Sequence, residues 1–448
     1  MPLQEALSCL PEVVPAQLDR FRRHLDPAWV EEALAATGTA TVRRRRLPAE
    51  QVLWLVVGMA LMRNESLDRV VQWLNLALPD GGGSTSVAKS AIAQARQRLG
   101  EDPVAYLFVL TAAAWAHDSA ARHRWRGLSL FGVDGSTLRV PDSPENWKVF
   151  GGQLGSGDRG GSAYPTVRIL GLMALRSHLL AALVFDEYRA GETTLAQDLW
   201  RELSDDSLTI ADRNFLVAHQ LTALARSGRN RHWLTRAKTT TKLRRIKRLG
   251  RNDELVEIDL SSQTRRIYPE LPAIWIVRAI SYQRKGFRPS TLLTSLLEPE
   301  AYPAQELVAL YHERWEIELG YDEIKTHMLA REETIRSRTP QGVRQEIWGI
   351  ALAYNLVRLE MERAADEAGV PPTQISFVNA LALIRYTWLI SSTPPLAPGK
   401  IPARLIDLRT QLKLLVLPER RLHRSYPRAV KIKISAYLRK SPSGKGRK

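Results

Sequence analysis

Between Leu128 and Ala237 the chain sets apolar runs and helical stretches in an order that leaves few folds open. Leu128–Asp134 reads as a short strand that ends in an acid. Thr166–Leu175 and Leu179–Asp186 read as a pair of strands around Arg176–His178, each of strand length and bounded by a polar turn. Thr193–Leu203 is helical, and Ser207–Ala211 is a strand that runs straight into Asp212. Phe215–Ala225 is a helix and Arg231–Ala237 another strand. Strand, strand, strand, helix, strand, helix, strand predicts an α/β class built on a mixed sheet flanked by helices.

The flanks have other rhythms. Residues 1–120 read as helical, with helices over 48–63 and 66–78, a break at Gly81, Gly82 and Gly83, and a third helix from Val87 to Leu99 stopped by Gly100. Pro48 suits the first helical position. The outer face of the third helix carries Lys89, Gln94, Arg96, Gln97 and Arg98. That face suits a helix-turn-helix-like DNA reader and equally a plain helical cap on the core. Beyond Ala237, residues 240–300 break the rhythm. Leu255–Leu260 and Ile274–Ser281 read as strands joined by basic turns, a β-rich insertion. Long helices follow over Ala304–Leu329 and Gln341–Gly369, then a Pro-rich segment, Ser392–Pro402. These shifts divide the chain into 1–120, 121–239, 240–303, 304–370 and 371–448.

Composition excludes several classes. Of 448 residues, 44% are hydrophobic and 25% charged, which supports a core and rules out general disorder. The one cysteine, Cys9, has no internal partner, so a disulfide scaffold is excluded and a reducing cytoplasmic compartment fits. The apolar run Val52–Met62 is shorter than the roughly 20 residues of a membrane span. Met1–Asp19 lacks a basic start followed by an apolar core, so neither membrane nor export is expected.

Charge is more informative. There are 64 Lys and Arg against 47 Asp and Glu, a formal net charge of +17. Such a balance favours a polyanion through attraction and counterion release. The charge is clustered in Arg43–Arg46, in Arg236–Arg251, and in the tail Arg420–Lys448, which has 11 Lys or Arg and no acid. Each run alone suits a solvated face; the three together suit a nucleic-acid track.

Two acids stand at strand ends, Asp134 in Phe131-Gly132-Val133-Asp134-Gly135-Ser136 and Asp212 in Thr209-Ile210-Ala211-Asp212-Arg213-Asn214-Phe215. A carboxylate there faces the open edge of the sheet, where ligands bind in such folds. Asp also caps turns and helices. Tyr311, Arg314, Glu318 and Lys325 fall at about 0°, 300°, 340° and 320° around a helix, one sector of about 60°. Arg314 and Glu318 also have the spacing of an ordinary surface pair. Joined to Asp134 and Asp212, the helix gives a chemistry. Phosphodiester hydrolysis with two Mg²⁺ ions needs converging carboxylates, and hard cations prefer oxygen. Asp134, Asp212 and Glu318 would hold the metal, with Arg314 and Lys325 on phosphates. His/Cys zinc spacing and a nucleophile elbow are absent. The glycines at 151, 152, 155, 157, 160 and 161 lack the spacing of a nucleotide-binding loop.

These blocks resemble DDE transposases of the insertion-sequence-four family. The resemblance rests on Asp134-Gly135-Ser136 with its continuation through Asn146, and on Asp212-Arg213-Asn214-Phe215. It rests most on the complete Y-x2-R-x3-E-x6-K signature of Tyr311, Arg314, Glu318 and Lys325, and extends to the N-terminal stretch from Leu47 to Met62. It covers residues 40 to 430 or so.

The resemblance implies an RNase H-like catalytic fold, with a DNA-binding N-terminal domain and a β-rich insertion between the second and third acids. It implies metal-dependent cut-and-paste transposition with magnesium, or manganese in its place, on double-stranded DNA. It implies a homodimer bridging two transposon ends in a bacterial cytoplasm, associated with the nucleoid. Tyr311, Arg314 and Lys325 would position phosphates. Lys238 and the cluster containing Arg244 and Arg245 would clamp the DNA end. Trp275 would stack on a flipped base or simply fill the core. Two other readings are a non-catalytic DNA-binding relative and a different RNase H-like nuclease.

Overall fold

The computed structural model describes residues 25–40, 47–74, 76–77, 86–153, 164–284, 286–330, 334–391, 408 and 410–418. Arg43–Arg46, the glycines at 81–83 and at 155–161, Ser392–Pro402 and Arg420–Lys448 lie outside them. Among the described residues, nine strands form one sheet in the order β3-β2-β1-β4-β5-β9-β8-β7-β6. They are β1 (Ser129–Arg139), β2 (Thr166–Ala174), β3 (Leu180–Glu187), β4 (Ser207–Ala211), β5 (Arg231–Arg236), β6 (Arg244–Gly250), β7 (Asp253–Asp259), β8 (Ile274–Tyr282) and β9 (Ser290–Thr294).

β1 pairs in parallel with β4, and β4 with β5. β2 is antiparallel to both its neighbours. Parallel neighbours need a crossover. A helix over Glu192–Leu199 carries the chain from β3 to β4, and another over Ala218–Arg226 carries it from β4 to β5. All five residues of β4 are buried, as is β1 from Ser129 to Val133. Strands covered on both faces read as continuous apolar runs, which is why these were plain in the sequence. The order 3-2-1-4-5 with an antiparallel second strand is the RNase H-like arrangement.

The insertion is part of the same sheet. β9 returns from it and pairs antiparallel with β5, so the sheet continues through β8 and β7 to β6. Two expectations are corrected here. The basic segment between Leu260 and Ile274, expected as a turn, contains a short helix over Ser262–Ile267, because the Ser261 hydroxyl caps it by accepting from the Thr264 amide; the strands β6 and β9 were not anticipated. β1 also does not end at Asp134 but continues to Arg139, since β2 pairs with it along that whole length.

The helices, numbered on their own, begin with α1 (Pro27–Ala36), α2 (Ala49–Leu61), α3 (Leu67–Trp73), α4 (Lys89–Leu99) and α5 (Asp102–Arg122). Pro48 stands as the cap before α2, one position earlier than expected. α6 (Pro144–Phe150) is short and capped by the Ser143 hydroxyl. The two crossover helices are α7 and α8, and α9 (Ser262–Ile267) lies in the insertion. The expected helix over Ala304–Leu329 is three pieces: α10 (Ala304–Glu313), α11 (Trp315–Asp322) and a π-helical turn, Glu323–Met328. α12 (Pro340–Ala368) and α13 (Phe377–Ser391) complete the set.

α12 is the axis of the helical layer. It is buried along most of its length and packs on α2, α5 and α13. Its contact with α2 is close: a Cβ on Gly349 would lie 2.3 Å from the Val56 side chain. α2 is buried on nearly every side, so the Val52–Met62 run is a core helix. No helix among the described residues is long and apolar enough to cross a membrane. One hydrophobic cluster runs from Leu25 to Leu412 and joins the N-terminal helices to the sheet and the helices that cover it.

A buried ion cluster reinforces that junction. Glu346 on α12 is 2% exposed and accepts from Arg63 at 2.7 Å, from the Ser337 hydroxyl at 2.7 Å and from the Arg336 and Ser337 amides. Arg336 in turn donates to the carbonyls of Met59 and Glu65. In α4, Arg96 turns inward and donates to Gln345 (2.9 Å) and to Ser337 (2.9 Å). That face therefore docks on α12 with part of the charge expected to be outside.

Candidate active site

The parallel pairing of β1 with β4 stops at Val133 and Ala211. Asp134 and Asp212 are the next residues on each strand, so they occupy equivalent steps. Here the two strands fork. β1 stays with β2, pairing Asp134 with Gly171. β4 gives way to a 3₁₀ turn, Arg213–Phe215, which Asp212 caps by accepting from the Asn214 amide at 2.7 Å. Both sequence readings of Asp212 therefore hold: it is a strand-end acid and a cap.

α11 lies across β1 and brings Glu318 to the fork. Tyr321 locks helix to strand by donating from its hydroxyl to the Asp134 carbonyl at 2.8 Å. Arg314, at the joint of α10 and α11, donates to Asp134 Oδ2 at 3.3 Å and to Glu318 Oε1 at 2.7 Å. Its guanidinium carbon is also 5.4 Å from the Trp315 ring centroid, a cation–π contact that limits its freedom. Lys325 reaches Ser136, two residues past Asp134, with Nζ 3.4 Å from Oγ. Tyr311 is buried. Burial pushes its hydroxyl pKa up and Asp212 adds to this, while Arg314 and Arg236 oppose it, so its ring lies among those charges.

Asp134 shows how the site is poised. Burial pushes its carboxyl up to about 6, and the charges of Asp212 and Glu318 push the same way. The Gly135 amide, 2.8 Å away, and Arg314 pull the other way. Gly135 has a steric reason too: a Cβ there would lie 2.6 Å from the Glu192 carboxyl carbon. Glu192 is itself held by Arg168 at 2.7 Å.

The other expected residues lie elsewhere. Lys238 is at the same end of the sheet, but its ammonium donates to the Leu216 carbonyl at 3.2 Å. Arg244 and Arg245 are on β6, beyond β9, β8 and β7, and pair with Glu257 (2.5 Å) and Glu254 (3.2 Å) of the next strand. Trp275 packs on Trp233, centroids 5.3 Å apart, at the edge of the core.

Residues 15–109 match the family described as "Insertion element 4 transposase N-terminal", and residues 125–356 match "Transposase DDE domain". Over 409 residues the chain is 39% identical to the "Transposase InsG for insertion sequence element IS4" of Escherichia coli (strain K12), covering 91% of this chain and 90% of that one. The chain belongs to the IS4 family of DDE transposases. A solved structure titled "Cryo-EM structure of piggyBac transposase synaptic complex with hairpin DNA (SNHP)" aligns over 92% of this chain and 87% of that one, at a TM-score of 0.44 and 13% identity.

A DDE transposase is an enzyme that acts on DNA, and its domain works with a divalent metal. The donor set here fits such an ion in kind: three carboxylates whose mutual repulsion disfavours charge on Asp134. It is not drawn together in this state. Among the described residues no three His, Cys, Asp or Glu side chains are grouped closely enough to hold a metal. Arg314 instead bridges two of the acids.

Sequence reasoning missed Tyr321 and Glu192 as neighbours of the Asp134–Gly135 step, and Arg236 as a charge near this transposase's Tyr311. Tyr321 was within reach: it lies at about 280° on the same helical wheel, next to Arg314. Glu192 gave no local signal, because its approach to Gly135 depends on the packing of α7 on β2 and β3.

Proposed function

We propose that this transposase binds the terminal inverted repeats of its own element and moves that element by cut and paste. Water attacks the phosphodiester at each transposon end, and the freed 3′-OH attacks the opposite strand to give a hairpin. The hairpin is reopened, and a last 3′-OH attack joins the end to target DNA. The observation that carries the reading is the fork: Asp134 and Asp212 at equivalent steps of two parallel strands, with Glu318 laid against them from α11. One site serves every step because each is an in-line displacement at phosphorus.

Asp134, Asp212 and Glu318 hold magnesium, with manganese as its substitute. When bound, the metal activates an oxygen nucleophile and stabilises the leaving oxygen. The chain's own groups do the positioning. Arg314 now neutralises two carboxylates, so it must exchange at least one of them for a phosphate oxygen as DNA arrives. Tyr311 and Lys325 hold the same phosphates from either end of the helix. Lys238 extends the cationic track, and Arg244 and Arg245 extend it onto the insertion. The enzyme works as a homodimer on paired ends, in the cytoplasm of its host.

The test is magnesium-dependent cleavage of a duplex carrying the flanking inverted repeat, parent beside Glu318→Gln. Cleavage at the repeat's edge that the variant loses while still binding supports the proposal. Equal cleavage by both refutes the assignment of Glu318. Binding without cleavage by either favours a non-catalytic regulator, and cleavage anywhere favours a general nuclease.

A further inference from the structure

The helix that carries Glu318 departs from α geometry before it reaches Lys325. Residues Glu323–Met328 form a π turn, marked by the Leu329 amide donating to the Ile324 carbonyl at 2.9 Å, five residues back. A π turn takes in one more residue than an α turn, so it rotates the side chains beyond it around the helix axis. Such turns are rare and concentrate at functional sites. Lys325 lies inside this one and meets Ser136.

The groups that hold the turn are on its other side. Glu323, its first residue, points into the core towards α12. Its carboxylate accepts from the Tyr354 hydroxyl at 2.8 Å and from Arg358 at 3.0 Å and 2.5 Å. Tyr354 and Arg358 are four apart on α12 and project together; both are buried. His178, in the β2–β3 turn, touches Arg358 through Nδ1, lies 3.4 Å from Glu323, and meets Glu316 through Nε2 at 2.8 Å. The back of the helix is thus fixed at Glu316 and at Glu323, on either side of Glu318. A buried charged cluster gains little net stability over apolar packing, but it fixes geometry where its partners are few and directional.

We propose that Glu323 is a positioning residue of the transposase. Clamped by Arg358, Tyr354 and His178, it holds the π turn and so aims Lys325 at the strand of Asp134. This rests on the active-site reading above, in which Lys325 binds phosphate.

The experiment is a double-mutant cycle. Single-turnover cleavage and binding of the inverted-repeat duplex, with manganese, are measured for the parent, Glu323→Gln, Lys325→Ala and the double variant. Glu323→Gln should lower the cleavage rate on the order of tenfold to a hundredfold, as small misplacements do, with affinity unchanged. Added to Lys325→Ala it should cost nothing more. Losses that multiply would overturn the proposal while leaving the site standing. A fully active Lys325→Ala would overturn both. Tyr354→Phe, which removes one hydroxyl and keeps the ring, should show the same non-additivity at smaller amplitude, and serves if Glu323→Gln does not fold. Amide exchange over 323–328 reads the clamp without any activity: it should speed in Glu323→Gln while β1 and β4 stay protected, and unchanged exchange would overturn the proposal.

Discussion

Asp134 carries a conflict between folding and chemistry. Its carboxyl is pushed up to about 6 chiefly by burial, against about 3.9 for a free Asp. Between those values the folded protein binds a proton that the unfolded chain does not. Stability from this group is therefore greatest at low pH and is lost as pH rises through about 6. Asp134→Asn should abolish cleavage and still melt higher than the parent in metal-free buffer above pH 6. The difference should fade towards pH 4, as followed by thermal melts across that range; a lower melting point for the variant at pH 8 would refute this. At this scale the sequence was largely legible. Arg314 touches both Asp134 and Glu318, and Asp134 and Asp212 follow the last paired residues of β1 and β4. The apolar run before each acid and the four-residue spacing of Arg314 and Glu318 carry that much locally, although the three acids are not grouped closely enough to hold a metal. Glu192 and Arg236 were not legible, since their places depend on contacts between distant segments. Arg244 and Arg245 were legible as charge but not as position.

Among elements, buried strands and long amphipathic helices were read nearly to the residue: β4 was expected at Ser207–Ala211, where it lies. The failures were the extent of β1, the identity of β6 and the continuity of the helix after Ala304. All three are decided by partners: β2 prolongs β1, β7 recruits β6, and α12 draws Glu323 inward. The ion cluster at Glu346 shows the same dependence. Glu346→Ala would leave Arg63, 5% exposed at its side chain, buried without its counter-charge. Loss of one partner of a buried pair costs about 3–5 kcal/mol. Chemical denaturation should show that loss for Glu346→Ala, and a much smaller one when Arg63→Met accompanies it. Equal losses would mean the pair is not coupled.

For the whole molecule, the fold joins segments that the sequence divided. The N-terminal helices close onto α12, and the insertion extends the sheet through the pairing of β5 with β9. The net charge of +17 is a property at this scale too, and 11 of its cations lie in Arg420–Lys448. Removing that tail should weaken binding of any duplex and flatten its salt dependence, by up to about 0.9 in log–log slope for each phosphate no longer neutralised. An unchanged slope would make the tail a bystander.

The last strand has a second consequence. Among the described residues none pairs with the outer side of β6, so its backbone amides and carbonyls offer a template on which a strand from another copy could grow. Arg244, Arg245, Lys247 and Arg248 stand along it, and the pairing with β7 slips twice there. Two such rims repel each other and are too irregular to zip. Beyond any role on DNA, cations and register slips of this kind are the devices by which an exposed edge strand resists growing onto another copy of its own sheet.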